Sequence, residues 1–203
     1  MSEELQVPDG AVVAGVDGSQ RSAHAADWAA GEAERRGAPL HLLYVFEWPA
    51  VTEGYDPGVT PDLRAGADRL LTEQVKTVAA NHPGLAATGQ MIVSHPAVVL
   101  VEASKEAAVV VVGARGLGRF TGPLLGSVSQ KVAAHAHGPV MVVREQVGKL
   151  PGPVVVGADP LDPSTEVLRF AFEEARRRDV GVTVVKGAGR RFAGGAQAPD
   201  SAR

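Results

Sequence analysis

VVVVGARGLGRFTGPLLGSVSQ, residues 109–130, begins as a strand and ends as a helix. Four consecutive valines with no polar alternation mark a strand buried on both faces, the habit of parallel sheets. The connecting loop carries Gly113, Gly116, Gly118, Gly122 and Gly126, then runs through Ser127 into a helical pattern. A buried strand that feeds a helix through a loop is the first half of a βαβ unit.

Glycine admits φ > 0 and lets a ligand approach the backbone. Several such positions can turn successive N–H groups toward one point and form an anion nest. A helix that opens at Gly126-Ser127 adds free N–H groups and the positive end of its dipole. Ser127 is the expected N-cap, and Ser129 adds a hydroxyl. The loop is therefore a candidate phosphate cradle, although GxxxxGK followed by Ser or Thr is absent. GxGxxG is absent too, because Gly122 follows Gly118 one residue too late. The competing reading is a long surface loop whose glycines only make turns.

Working outward, the same strand-to-helix alternation fills residues 11–145. Strands are expected at 11–19, 40–47, 88–94, 108–114 and 139–145, with helices at 22–37, 61–84, 97–107 and 126–138. In the first helix Ala26, Ala29, Ala30 and Ala33 share one face, Arg35 and Arg36 fill the last turn, and Gly37 is the stop. Pro61 opens the second helix and Pro83-Gly84 closes it. This order predicts a mainly parallel α/β sheet with helices on both faces. Ligands then bind beyond the carboxyl ends of the strands, where the strand order reverses.

The chain also repeats itself. A gapless shift that carries Val12 onto Val154 lays VVAGVD (12–17) over VVVGAD (154–159). The same shift lays Glu32, Ala33, Arg35 and Arg36 over Glu174, Ala175, Arg177 and Arg178. The expected organisation is one nucleotide-binding domain, 1–146, an incomplete second repeat, 147–187, and a disordered tail, 188–203.

Composition bounds the function. Of 203 residues 45% are hydrophobic and 21% charged, ordinary globular values that allow a sizeable core. The net charge of −3 argues against a bulk electrostatic nucleic-acid binder. There is no cysteine, which excludes disulfides and thiolate catalysis. The acidic start MSEELQVPDG does not read as a signal peptide, and no apolar run approaches the roughly 20 residues of a membrane helix. The expectation is a cytoplasmic protein without membrane association.

Gly113-x-x-Gly116, nine residues, then Gly126-Ser127 resembles the G-2x-G-9x-G-(S/T) signature of the universal stress protein family. VDGS at 16–19 resembles that family's opening βα turn. The resemblance implies a five-stranded parallel sheet in order 3-2-1-4-5 and a homodimer through the fifth strand, 139–145. It also implies bound ATP, with Mg²⁺ bridging the phosphates. Carried over by position, Val16 and Asp17 should lie at the adenosine, and Val45 should meet adenine through its backbone. Gly113, Arg115 and Gly116 should line the ribose and phosphate side. Gly126, Ser127, Val128 and Ser129 should hold the phosphates. The second repeat matches only at Asp159, so no complete second site is expected.

Bland readings stand beside these. Asp17 could simply cap the helix that follows it, and Arg119 could be a surface charge. His135 and His137 are expected to serve the C-terminus of their helix rather than a metal, because a spacing of two points them apart. His24 and His41 have no ligand-like neighbours, and Lys131 is expected to face solvent. HExxH, GxSxG, CxxC and HxGH-like strings are absent, so no catalytic residue is expected. The expected function is an ATP-binding regulator of a stress response that is not an enzyme. The rivals are a slow nucleotide hydrolase or transferase, and a dimerising scaffold with an empty pocket.

Overall fold

The computed structural model describes residues 4–47, 60–114, 125–144, 152–159 and 164–186. Arg115, Gly116, Gly118, Arg119 and Gly122 lie outside the described residues, as does the expected tail at 188–203. The chain divides into two compact units, Met1–Gly148 and Lys149–Arg203.

The first unit alternates strand and helix: β1 (Val12–Val16), α1 (Gln20–Arg36), β2 (Leu40–Phe46), α2 (Pro61–Asn81), β3 (Ala87–Val93), α3 (Pro96–Ala103), β4 (Val109–Gly113), α4 (Ser127–His135) and β5 (Val140–Val143). The strands form one parallel sheet in the order β3-β2-β1-β4-β5, with Val12 opposite both Leu40 and Val109. Both faces are covered. Val12, Ala14, Leu40, Leu42, Val109 and Val111 pack under α1 and α2. Val13, Leu43, Val110 and Val112 pack against Val99, Leu100 and Ala103 of α3 and Val132 of α4. Neighbouring residues of β1 and β4 thus enter opposite cores, which is why those strands show no polar alternation.

α1 shows how local sequence sets the layers. Ser19 caps it by accepting from the Ser22 N–H, and Ala25, Ala26, Ala29, Ala30 and Ala33 are fully buried. Side chains that small let the helix lie close on the sheet. Gly37 ends the helix in the left-handed region at φ 61°, where its N–H reaches the Ala33 and Glu34 carbonyls. Glu32, fully buried, is held by Arg35 at 3.0 Å and Arg36 at 2.8 Å.

α3 stops at Ala103, four residues before the expected end at 107. Lys, Glu and Ala at 105–107 are good helix formers, so propensity does not end it. Ser104 does: its buried hydroxyl donates to the Val101 carbonyl at 2.6 Å and accepts the His137 N–H at 2.8 Å.

The second unit holds β6 (Val154–Ala158), α5 (Thr165–Arg178) and β7 (Val182–Lys186), with the two strands paired in parallel. Several features of the first unit reappear at the shifted positions. Val12 donates to the Pro39 carbonyl, and Val154 donates to the Gly181 carbonyl. Ala38 donates to the Ala33 carbonyl, and Val180 donates to that of Ala175. Buried Glu174 is gripped by Arg177 and Arg178, as Glu32 is by Arg35 and Arg36. Asp179 stands where Gly37 stands, in the same left-handed region at φ 52°. Cover is what differs. Val155, Val167, Phe172, Val184 and Val185 are all exposed, whereas their counterparts Val13, Ala25, Ala30, Leu42 and Leu43 are buried.

No described helix is long and apolar enough to cross a membrane.

Candidate functional site

The strand order reverses between β1 and β4, and a cleft of about 400 Å³ opens there at the carboxyl ends of the strands. Gly15, Val16 and Asp17 form its floor at the end of β1, with Val112 and Gly113 beside them on β4. The end of β2, Leu43 to Glu47, makes one wall, and Pro96 and Leu100 of α3 make another. Gly126, Ser127, Val128 and Ser129 close the site from the head of α4.

The sheet leaves a backbone acceptor at Val45. Leu40 donates to the Ala86 carbonyl on the β3 side, while the Pro39 carbonyl accepts from Val12 on the β1 side. Alternation therefore turns the odd-numbered amides of β2 toward β1. β1 ends at Val16, opposite Tyr44, so the ladder offers the Val45 carbonyl no partner in β1. That carbonyl looks past the strand end at the place where Val45 lines the cleft.

Asp17 shapes the first turn. Its Oδ1 accepts the Ser19 N–H at 3.0 Å, and its own N–H donates to Ser22 Oγ at 3.2 Å. Capping of α1 falls to Ser19, which corrects the reading of Asp17 as the cap. Gly18 follows at φ 81°, a conformation that the turn needs and that L side chains rarely adopt.

At α4 the N-cap is Gly126, and Ser127 is the first helical residue, which corrects the expectation that Ser127 caps. The Gly126 N–H donates to the Ala114 carbonyl at 2.7 Å. Ser129 is buried and its Oγ donates to the carbonyls of Gly126, at 3.0 Å, and Ala114, at 3.2 Å. These bonds tie the two ends of the glycine-rich segment together. They also turn the Gly126 N–H and the Ser129 hydroxyl inward. Among the described residues, the donors left without a partner at the helix head are the first-turn N–H groups of Ser127, Val128 and Ser129, with the exposed Ser127 hydroxyl beside them.

Ten residues carried the expected site. Eight of them, Val16, Asp17, Val45, Gly113, Gly126, Ser127, Val128 and Ser129, line this one cleft. Arg115 and Gly116 fall outside the described residues. Sequence reasoning missed Ser22, Tyr44, Phe46, Glu47, Pro96 and Leu100. Glu47 is the chemically notable one: it accepts from His95 Nδ1 at 2.8 Å, joining the loops that follow β2 and β3. Only its place at the end of a strand could have flagged it. The carboxylates of Asp17 and Glu47 are the charged groups of the described lining, which holds no lysine or arginine. His135 Nδ1 meets the Lys131 carbonyl at 2.9 Å in the last turn of α4, and Lys131 itself is exposed.

The model of the Universal stress protein family matches residues 10–144. The chain belongs to the universal stress protein family. Universal stress protein Rv2623 of Mycobacterium tuberculosis H37Rv is 36% identical over 180 residues, covering 83% of this chain and 60% of that relative. Rv1996 of the same strain is 37% identical over 190 residues with the same coverage. This universal stress protein chain thus spans about 60% of the length of the curated relatives it matches. Among solved structures, a universal stress protein in complex with cAMP is 29% identical, with a TM-score of 0.52 over 68% of this chain and 98% of that one. A universal stress protein of Archaeoglobus fulgidus DSM 4304, 21% identical, shares the fold over 90% of this chain and 68% of its own, with a TM-score of 0.66.

Proposed function

We propose that the first unit binds an adenine nucleotide, specifically ATP, in the cleft between β1 and β4, and acts in the cytoplasm as a non-catalytic stress-response regulator. The observation that carries this is the pairing, in one cleft, of an apolar wall with a Val45 carbonyl that β1 leaves unpaired and a helix head whose three first-turn N–H groups meet no partner among the described residues. The first suits the edge and face of a purine, and the second suits a phosphate. The cAMP complex of a 29% identical family member supports the same ligand class.

The residues present fit that ligand. Val45 would meet the base, Asp17 the ribose side, and Ser127, Val128 and Ser129 the phosphates. The described lining carries carboxylates and no cation, so a triphosphate needs its charge balanced from elsewhere. Arg115 is one source and a bound Mg²⁺ another; the metal would neutralise and orient the phosphates. Neither cleft carboxylate stands idle as a general base: Asp17 holds its turn and Glu47 holds His95. Turnover is accordingly expected far below the roughly 10 s⁻¹ median of enzymes. The second unit is read as an incomplete repeat of the same fold, and the first as a homodimer through β5, which ends its sheet.

Ser127→Pro tests the site. Proline is tolerated at a first helical position, and Gly126 already holds the extended ψ of 162° that a residue before proline prefers. The change removes one N–H and one hydroxyl while leaving α4 intact. Calorimetry should show ATP binding weakened by about 1–3 kcal/mol with an unchanged melting temperature. Unchanged affinity would sink the phosphate assignment, and phosphate release at enzyme-like rates would move the protein to the hydrolase class.

A further inference from the structure

β2 carries a histidine into the core. His41 is 4% exposed, and its Nδ1 lies 2.8 Å from Oγ1 of Thr88, its register partner on β3. Among the described residues its Nε2 has no hydrogen-bond partner. A neutral imidazole can leave that nitrogen as a bare lone pair when Nδ1 carries the proton toward Thr88. In an imidazolium Nε2 becomes a buried, charged donor with nothing to receive it, and that is costly.

Sheet alternation puts His41 on the face of Leu43 and Ile92, with Thr88 and Gln90 beside it. That face is covered by α3 and α4 and by the segment ahead of β1, whose Leu5 and Val7 pack on the same core. Glu4 and Gln6 alternate with them and are exposed. One side chain holds this strap by its backbone. Gln90 Oε1 accepts the Gln6 N–H at 3.0 Å, and Gln90 Nε2 donates to the Glu4 carbonyl at 2.7 Å. A primary amide offers the donor and acceptor of a peptide group, so Gln90 stands in for a strand edge. The same side chain acts on the His41 ring, favouring its charged form less strongly than burial opposes it. Ring and strap thus share one amide.

We propose that residues 4–9 form an acid-released strap, closed while His41 is neutral and lifted when its ring takes a second proton, so that water reaches the imidazolium. The strap is the cover that yields most easily. Its described contacts are two hydrogen bonds and two part-buried apolar side chains, whereas β1 and β3 are paired to β2 along their lengths. Other charges stand clear of the ring. β1 and β3 carry no titratable side chain, and Tyr44 of β2 lies on the opposite face. Glu4 and Asp9 of the strap, Glu102 of α3, Lys105 and Glu106 after it, and Lys131 and His135 of α4 are all exposed. The proton on His41 is then the charge that decides whether the strap stays down. Closure should be complete above 6.5, the ordinary histidine value, and lost as pH falls through the lower value of the covered ring. The inference does not depend on the nucleotide reading.

The Gln6 amide reports the strap directly. Amide exchange of the full chain, expressed as protection factors, is followed from about pH 7.5 to about pH 5 across the histidine range. Protection at Gln6 should fall by up to about tenfold per pH unit below the ordinary histidine value. His41→Leu combined with Thr88→Val replaces both partners of the buried bond and should leave Gln6 protected throughout. A flat profile at Gln6 in the unmodified chain, or a fall that persists in the double variant, overturns the proposal. So does an equal fall at Val12, whose N–H donates to the Pro39 carbonyl, because the sheet itself would then be opening. A second measurement leaves the ring untouched. Leu5→Ser with Val7→Ser loosens the strap, and the His41 ring protons should then titrate closer to the ordinary value. An unmoved titration would show that the strap is not what buries the ring, and would overturn the proposal as well.

Discussion

His82 and His41 should titrate on opposite sides of 6.5, the ordinary histidine value. His82, at the end of α2, faces the Glu34 carboxylate at 3.0 Å and that of Asp27 at 3.4 Å. The bond to Glu34 is the main cause that raises its pKa. Stability from this contact is complete below 6.5 and is lost as pH rises through the raised value. His41 sits buried in β2 with Nδ1 2.8 Å from Thr88 Oγ1, and burial lowers its pKa against a smaller opposing contribution from Gln90. Its contribution is complete above 6.5 and is lost as pH falls through the lowered value. Ring-proton titration should therefore place His82 above 6.5 and His41 below it; the reverse order would refute both environments. Gly18 is a position where any side chain would be strained. A Cβ added there would lie 2.6 Å from Leu70 Cδ1, at φ 81°. Gly18→Ala should cost about 1–2 kcal/mol in urea unfolding, and an unchanged midpoint would show that the turn does not depend on the left-handed backbone. At this scale the sequence named the right neighbourhood and not every role. Asp17, Ser19 and Ser22 can each cap a helix, and only the folded turn decides that Ser19 does.

At the scale of elements, α1 and α5 share one device. A buried glutamate takes arginines from three and four residues on, which fastens the solvent side of the last turn to the core side. Glu32→Gln should lower stability by roughly 3–5 kcal/mol in denaturant, because Arg36 is itself mostly buried and loses the negative charge that balances it. Glu174→Gln should cost less, since Arg177 and Arg178 are about a quarter exposed. Equal losses would mean that solvent access does not set the cost. Strand positions were legible because short apolar runs rich in valine, VVVV at 109–112 above all, leave few alternatives. The ends of α3 were not, since Ser104 stops that helix through a contact with residue 137, far along the chain. The head of α4 slipped by one residue for a similar reason: Gly126 caps without a side chain, so no residue type announces it.

For the whole molecule, the fold of the first unit was readable from alternation alone, and its strand order from the glycine motif's family resemblance. Eight of the ten expected site residues meet in one cleft because the topology sends every strand end to the same edge. Glu47 and the walls from α3 were not legible, since they depend on how loops after different strands converge. The clamp at the head of α4 has a consequence for exchange of the ligand. The Gly126 N–H and the Ser129 hydroxyl both end on the Ala114 carbonyl. The helix head is thus held to the end of β4 by the protein itself and stays set when the cleft empties. Binding to such a preformed socket loses little entropy in ordering it. Arrival and departure of a nucleotide should then be single-step, and stopped-flow traces that need a second exponential would show that the socket is rebuilt at each binding.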